Sequence, residues 1–494
     1  MSISGICRRK YELTKQAVCA TIKLYNLPFQ KGSAMGKSVK ITDKAKNPKR
    51  LRMSSFSSAQ IIAVGYLAVI LMGSLLLMLP AASRGQPPDF LNAMFTAVSA
   101  TCVTGLAVFD TYTQWSVFGQ IVIILLIQTG GLGFMTLISL SAMATGRKIG
   151  LKERSLLQDS VNGMQLAGIV RLVRRIVTGT LICEGIGAVL FSVSFIPRMG
   201  IAEGIGNAVF LSISAFCNAG FDLNGKYGEY SSLCCFADDP IVCITAAMLI
   251  LIGGIGFAVW EDIAKNKLRF SAYRLHSKLA LIVTLGLTVI GTVLFLIFER
   301  EHTNSGLGTG QSILNAFFNS VTPRTAGFNT VDTSALSPAS FALTVIYMFI
   351  GGSPGSTAGG VKTVTVAVLV LSAIASMKNS EDIDAFGRRF EEDITRKALT
   401  VITVNLLIVF TGILFICGAQ PELRLGDVVF EGFSAINTVG MTTGVTRELS
   451  GFSRAVIMIM MYCGRVGSVS FALIFTGTKK FTGVHNPVEQ VNVG

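Results

Sequence analysis

Eight long apolar segments, at about 59–80, 118–142, 176–196, 240–260, 279–298, 339–377, 398–418 and 455–476, constrain this chain more than any other feature. A run of about 20 apolar residues is long enough to cross a bilayer. Inside hydrocarbon every backbone polar group needs an internal partner, so such runs cross as helices. Composition agrees, with 51% of residues hydrophobic and only 14% charged, against about a quarter charged in a soluble protein. The sequence therefore predicts an all-α polytopic membrane protein.

Eight spans put both termini on one side, and basic residues say which. Residues 1–57 hold 13 Lys and Arg against Glu12 and Asp43. The connection 145–175 carries Arg147, Lys148, Lys152, Arg154, Arg171, Arg174 and Arg175, and 261–278 is also basic. The alternate connections are near neutral or acidic. Basic loops stay cytoplasmic, so both termini are expected in the cytoplasm of a plasma-membrane protein. The arm 1–57 lacks an apolar core, reads as solvated, and is suited to touching anionic lipid. Met35 and Met53 stay open as alternative starts. The ten cysteines and three histidines form no metal or redox pattern, and nothing suggests nucleic-acid binding.

The outer connections repeat. LNAMFTAVSATCVTGLA (91–107), GNAVFLSISAFCNAGFD (206–222), LNAFFNSVTPRTAGFNT (314–330) and GDVVFEGFSAINTVGMT (426–442) align on Gly105, Gly220, Gly327 and Gly440, which are 115, 107 and 113 residues apart. Phe95, Phe210, Phe317 and Phe430 stand ten residues earlier, and Asn92, Asn207 and Asp427 thirteen earlier. The third copy slips: Asn315 is twelve back, and keeping its N-x-x-F spacing selects Phe318 instead of Phe317. Each Asn or Asp is expected to N-cap a short helix. The glycine then permits a turn and a close approach. Non-helical backbone at membrane depth must line a wet cavity or be buried in protein. Four such loops about one axis would offer a cation a ring of carbonyls, with helix C-termini pointing at it. Loops that merely pack are the plain alternative, but packing gives no reason for one order of residues four times over.

Helix, pore helix, T-x-G-like turn, helix, four times in one chain, resembles the Trk/Ktr/HKT superfamily of potassium transporters, and within it the bacterial Ktr membrane subunits. The resemblance covers about residues 58–494. It implies four helix–pore-loop–helix repeats in pseudo-four-fold arrangement around one pore: 58–145, 146–264, 265–378 with a broken second helix, and 379–478, after the arm 1–57 and before a cytoplasmic tail, 479–494. It implies filter carbonyls on Val103, Thr104 and Gly105; Asn218, Ala219 and Gly220; Thr325, Ala326 and Gly327; and Thr438, Val439 and Gly440. Glycine in all four copies favours potassium over sodium as the transported ion, and a sodium dependence stays open. The resemblance also implies a homodimer on a cytoplasmic ring of nucleotide-binding subunits, and no cofactor in this chain. The chain carries no G-x-x-x-x-G-K-[ST] loop, which argues against ATP hydrolysis and against an enzyme. An alternating-access cation symporter is the rival reading, because repeats and broken helices mark carriers too.

Three of the four helices after the filter stretches carry a glycine cluster: Gly130-Gly131-Leu132-Gly133, Gly253-Gly254-Ile255-Gly256, and Gly351-Gly352-Ser353-Pro354-Gly355. The fourth reads Gly464-Arg465-Val466-Gly467. An arginine at mid-bilayer depth costs roughly 3 kcal/mol or more, so Arg465 is expected to project into the pore. The third segment holds five glycines and Pro354 between Gly351 and Gly360 and cannot remain helical. Gly351, Gly352, Ser353, Pro354, Gly355, Ser356, Thr357, Gly359 and Gly360 with Arg465 form the expected gate, and the resemblance implies the same. An ion pair of Arg465 with Glu184 or Glu431 is the alternative. Arg324 is placed at the outer mouth, where it would pair with Asp110 or Asp222 unless those acids instead concentrate cations at the entrance; Lys362 is expected to snorkel to the cytoplasmic surface, and Asn437 and Glu431 are candidate anchors of the fourth pore helix.

Overall fold

A computed structural model describes residues 58–133, 136, 169–267, 269–380, 382–391 and 393–467. The arm 1–57 and the tail 479–494 lie outside the described residues, as do nearly all of 134–168 and the stretch 468–478.

Each repeat begins with a long apolar helix: α1 (Ser58–Leu77), α4 (Ile169–Met199), α8 (Leu275–Phe298) and α12 (Ile394–Ala419). These are the four described helices long and apolar enough to cross a membrane unaided. Their outer faces leave Leu75, Val189, Leu285 and Leu414 exposed, which suits lipid. A shorter helix follows each: α2 (Phe90–Cys102), α5 (Ile201–Cys217), α9 (Thr309–Val321) and α13 (Leu425–Ile436). At 1.5 Å per residue the 13 residues of α2 reach about 20 Å, too short to span.

The expected N-caps are corrected. Asp89, Gly200, Gly308 and Arg424 occupy the cap positions, and Asn92, Asn207, Asn315 and Asp427 lie inside the helices. Two of the asparagines serve tertiary structure instead. Asn92 accepts from Arg454 at 2.6 Å, and Asn207 donates to Asn224 at 3.2 Å.

The second long segment of each repeat is not a straight span where it is described. Helix α3 (Val117–Leu132) ends at Gly133, φ 84°, and α14 (Gly451–Val466) ends at Gly467, φ 96°. Helix α6 (Pro240–Gly254) turns by 93° into α7 (Phe257–Asn266), with Gly256 at φ 100° in the break. The three glycines share one slot in the repeat; Gly133 and Gly467 cap the ends of their helices, and Gly256 opens α7 just past the end of α6. In the third repeat α10 (Pro338–Phe349) and α11 (Thr363–Met377) flank a helix-free loop, 350–362. A two-residue hairpin, β1 (Asp384–Ala385) against β2 (Arg388–Arg389), joins α11 to α12.

Packing closes these units into a ring. Each long first helix lies along the short helix of its own repeat: α1 on α2, α4 on α5, α8 on α9 and α12 on α13. Each second helix lies along the short helix of the next: α3 on α5, α6 on α9, α10 on α13, and α14 back on α2. The architecture is all-α with pseudo-four-fold symmetry about one axis. Phe95, Phe210, Phe318 and Phe430 are buried at matching positions. Phe317 is only partly buried, so the N-x-x-F frame is the structural one, and the third copy is one residue short before its glycine.

Candidate functional site

The four glycine stretches meet head to tail. A Cβ built on Gly105 would lie 2.6 Å from the Ala219 carbonyl oxygen, and one on Gly220 2.8 Å from that of Ala326. On Gly327 it would overlap the Val439 carbonyl oxygen, and on Gly440 that of Thr104. Each glycine therefore abuts the middle carbonyl of the next loop, and the fourth returns to the first. No side chain fits at any of these positions.

Torsions within each stretch alternate. Val103, Asn218, Thr325 and Thr438 are left-handed at φ 59°, 61°, 74° and 50°, and the glycines have φ 99°, 72°, 79° and 91°. Alternating handedness turns successive N–H groups to one side of the strand and the carbonyls to the other. The N–H groups are held from behind by the short helices. Thr104 donates to Ser99, Ala219 to Ser214 and Val439 to Ser434, each to the backbone oxygen at 2.8 Å. The same serines accept with their hydroxyls, from Gly105 N at 3.1 Å, Phe221 N at 3.1 Å and Gly440 N at 3.0 Å. Sequence reasoning missed these serines, although a Ser-Ala pair stands six residues before the glycine in three of the four copies.

In the shortened third copy Ala326 N and Gly327 N share the Thr322 carbonyl at 2.9 and 3.3 Å, and the Thr322 hydroxyl donates to Phe328 O at 2.6 Å. Asn218 Nδ2 donates to Thr325 Oγ1 at 3.3 Å, tying the second stretch to the third. The side-chain oxygens of Thr104, Thr438 and Asn218 (Oδ1) are buried without a hydrogen-bond partner among the described residues, a rare condition for buried polar atoms.

Arg324 is not at the outer mouth. It is 5% exposed and donates to the Thr284 carbonyl at 3.3 Å and the Thr288 hydroxyl at 2.8 Å, both on α8. The residue before the first left-handed position lies at the inner end of its loop, because the chain has just descended the short helix. Asp110 caps the turn Thr111–Gln114 and accepts from Tyr230 N at 3.0 Å, and Asp222 accepts from Asn224 N at 2.9 Å. Neither meets the arginine.

The loop 351–360 and Arg465 do come together. Arg465 donates to the Thr357 carbonyl at 2.6 Å, to the Gly131 carbonyl at 3.3 Å, and to the Gly130 carbonyl. All three acceptors are backbone oxygens, and no ion pair with Glu184 or Glu431 forms. Glu184 accepts from Gln128 at 3.3 Å, and Glu431 from Thr446 at 2.5 Å.

The loop itself is sewn to the second repeat. Ser353 N donates to Gly254 O at 2.8 Å, Thr357 Oγ1 to Phe216 O at 3.1 Å, and Phe257 N, at the 93° break, to Gly355 O at 2.8 Å. A Cβ on Gly359 would overlap Thr438 Oγ1, and one on Gly351 would lie 3.2 Å from Thr325 Cγ2. The loop thus passes directly against the first residues of the third and fourth glycine stretches. Lys362 does not reach for the surface. Its ammonium donates to Ala358 O at 2.7 Å and Gly359 O at 2.9 Å. Asn437 accepts from Val361 N at 3.4 Å and donates to Phe433 O at 3.0 Å, joining α13 to the end of the loop.

The chain as a whole is similar to known proteins. The family model for TrkH, a cation transport protein, matches residues 29–481. The chain is 39% identical over 448 residues to the Ktr system potassium uptake protein B of Bacillus subtilis, covering 90% of this chain and 99% of that protein. It is 39% identical over 453 residues to the potassium/sodium uptake protein NtpJ of Enterococcus hirae, again covering 90% and 99%. In three dimensions it matches the potassium transporter TrkH from Vibrio parahaemolyticus with a TM-score of 0.70, over 87% of each chain at 18% identity.

Proposed function

The chain belongs to the TrkH family of cation transport proteins, and on that premise we propose that it takes up potassium across the plasma membrane, with both termini in the cytoplasm. It is a transporter and not an enzyme, as its relatives are. The observation that carries the reading is the closed ring in which each glycine abuts the next loop's carbonyl. A dehydrated cation needs converging oxygens to replace its water. Val103–Gly105, Asn218–Gly220, Thr325–Gly327 and Thr438–Gly440 supply them, and the unpartnered oxygens of Thr104, Thr438 and Asn218 suit an ion passing by. The short filter, one glycine per loop, suits looser discrimination than that of a long carbonyl column. The name of the Enterococcus relative, which includes sodium, fits such looseness.

Below the ring, Arg465 and the loop from Gly351 to Gly360 close the path. A guanidinium held by carbonyls from two other repeats places a fixed positive charge where a cation must travel, and the membrane potential supplies about 2.3 kcal/mol per charge per 100 mV to drive entry once it moves. Relatives named as parts of a Ktr system suit a transporter working with further subunits, here a homodimer on a cytoplasmic nucleotide-binding ring. An alternating-access symporter would be built from two opposed repeats, and no observation favours it. The test is growth at low potassium of a host lacking its own uptake systems, with and without added sodium. Rescue is expected, and a host that stays starved while the protein reaches the membrane overturns the reading.

A further inference from the structure

In the fourth repeat, besides Asp427 near the start of α13, two more charged residues stand where the four-fold register has none. Arg465 is one. The other is Glu431, which follows Phe430 where Thr96, Leu211 and Asn319 follow the matching phenylalanines. Glu431 is fully buried on α13, one turn outward of Ser434. Its Oε1 accepts from the Thr446 hydroxyl at 2.5 Å. Thr446 and Thr442 hydroxyls are 3.0 Å apart, and Thr442 Oγ1 accepts from Gly444 N at 3.0 Å. The Thr446 hydroxyl thus stands between the Glu431 carboxyl and the Thr442 hydroxyl, and the Thr442 oxygen accepts from the Gly444 amide.

Thr442 is the second residue after Gly440. Helix α13 therefore holds the fourth loop at two heights: Ser434 grips the glycine itself, and Glu431 grips the turn that forms the rim just outside it. No matching carboxylate stands behind the other three loops. The second oxygen of Glu431 is buried without a partner among the described residues. A charge left this incompletely satisfied is a costly way to fasten a turn that a neutral side chain could fasten.

We propose that Glu431 is a positioning residue for ion selection, setting the outer rim of the fourth filter loop through Thr446 and Thr442. The proposal rests on the potassium-uptake reading above. A charge-assisted hydrogen bond is among the stronger polar contacts, and losing it frees the rim to widen toward a less selective geometry.

The test uses the full chain in the potassium-starved host, with potassium and sodium uptake measured per molecule of protein recovered from the membrane. Thr446→Val and Glu431→Ala are expected to raise the KM for potassium about tenfold, the worth of one such bond, and to lower the potassium-to-sodium uptake ratio. Thr446→Ser is expected to restore both. Glu431→Gln, which keeps the size and one acceptor, carries the test if the alanine variant does not accumulate. Unchanged KM and ion ratio in Thr446→Val and Glu431→Gln overturn the proposal, whatever happens to the amount of protein. Loss of accumulation in every variant, Thr446→Ser included, also overturns it, because the residues then serve only the fold. Failure of the unsubstituted chain to transport potassium would instead remove the parent reading.

Discussion

The Arg465 guanidinium donates to the Thr357 carbonyl at 2.6 Å across 108 residues of sequence. Its other donors reach the end of α3 in the first repeat, so one side chain fastens three quarters of the ring. Hydrogen bonds to a charged group contribute about 1.5–3 kcal/mol each, so on the proposed gating role these contacts would favour a closed state.

Arg465→Ala is therefore expected to raise potassium flux in cells lacking any regulatory partner. Arg465→Lys should lie between, because an ammonium is a point charge and cannot fork between Thr357 and Gly131. Initial rates of potassium or rubidium uptake report it, and a rate at or below that of the unsubstituted chain would remove Arg465 from the gate.

Deleting 351–358 takes away the Thr357 carbonyl and also the Gly355 acceptor of Phe257 N. Flux should rise again, and hydrogen exchange at the start of α7 should quicken because its first amide loses its partner. A slow, closed transporter after this deletion would exclude the loop as an obstruction.

Gly440→Ser is expected to admit sodium. Its Cβ would collide with the Thr104 carbonyl at a φ of 91°, pushing the fourth and first loops apart and enlarging the ring. Competition between sodium and potassium in uptake assays measures the change, and an unaltered ratio would count against these carbonyls as the selective element.

Ser214→Ala and Ser434→Ala each remove a hydroxyl that holds a loop N–H from behind. A neutral hydrogen bond contributes about 1 kcal/mol, so potassium affinity is expected to fall roughly fivefold with the protein still folded. Uptake kinetics against potassium concentration decide it.

Thr288→Val leaves the buried Arg324 guanidinium with only the Thr284 carbonyl. An unsatisfied buried donor costs about 1–3 kcal/mol, which should appear as a lower midpoint when the detergent-solubilised protein is heated and its monodisperse fraction followed. An unchanged midpoint would mean that water replaces the hydroxyl there.

Much of this was legible because four copies of one motif lie in one chain. The alignment on Gly105, Gly220, Gly327 and Gly440 placed all four loops in contact, and the proline-glycine run 351–360 announced a broken helix beside Arg465. Depth was not legible. Arg324 reads as an outer residue only if sequence order is taken for height, whereas a re-entrant chain descends before it climbs. Hydropathy ran unbroken through 240–260, yet α6 turns sharply there, because a left-handed glycine changes direction without changing polarity. Asn92 and Asn207 have the right chemistry for caps, but long-range partners claimed them. The supporting serines could have been found from the Ser-Ala recurrence. The charge of Lys362 suggested water, and its nearest oxygens belong to its own loop.

The contact between Gly440 and the Thr104 carbonyl joins the last quarter of the molecule to the first. A ribosome delivers these quarters in order, so the first loop is in the membrane long before its final neighbour exists. Its middle carbonyl waits exposed through the synthesis of three further quarters, and any chain that stops short of about residue 440 leaves the circle open. The ring of loops thus closes only once the fourth quarter is present, and a copy terminated before it is a broken ring.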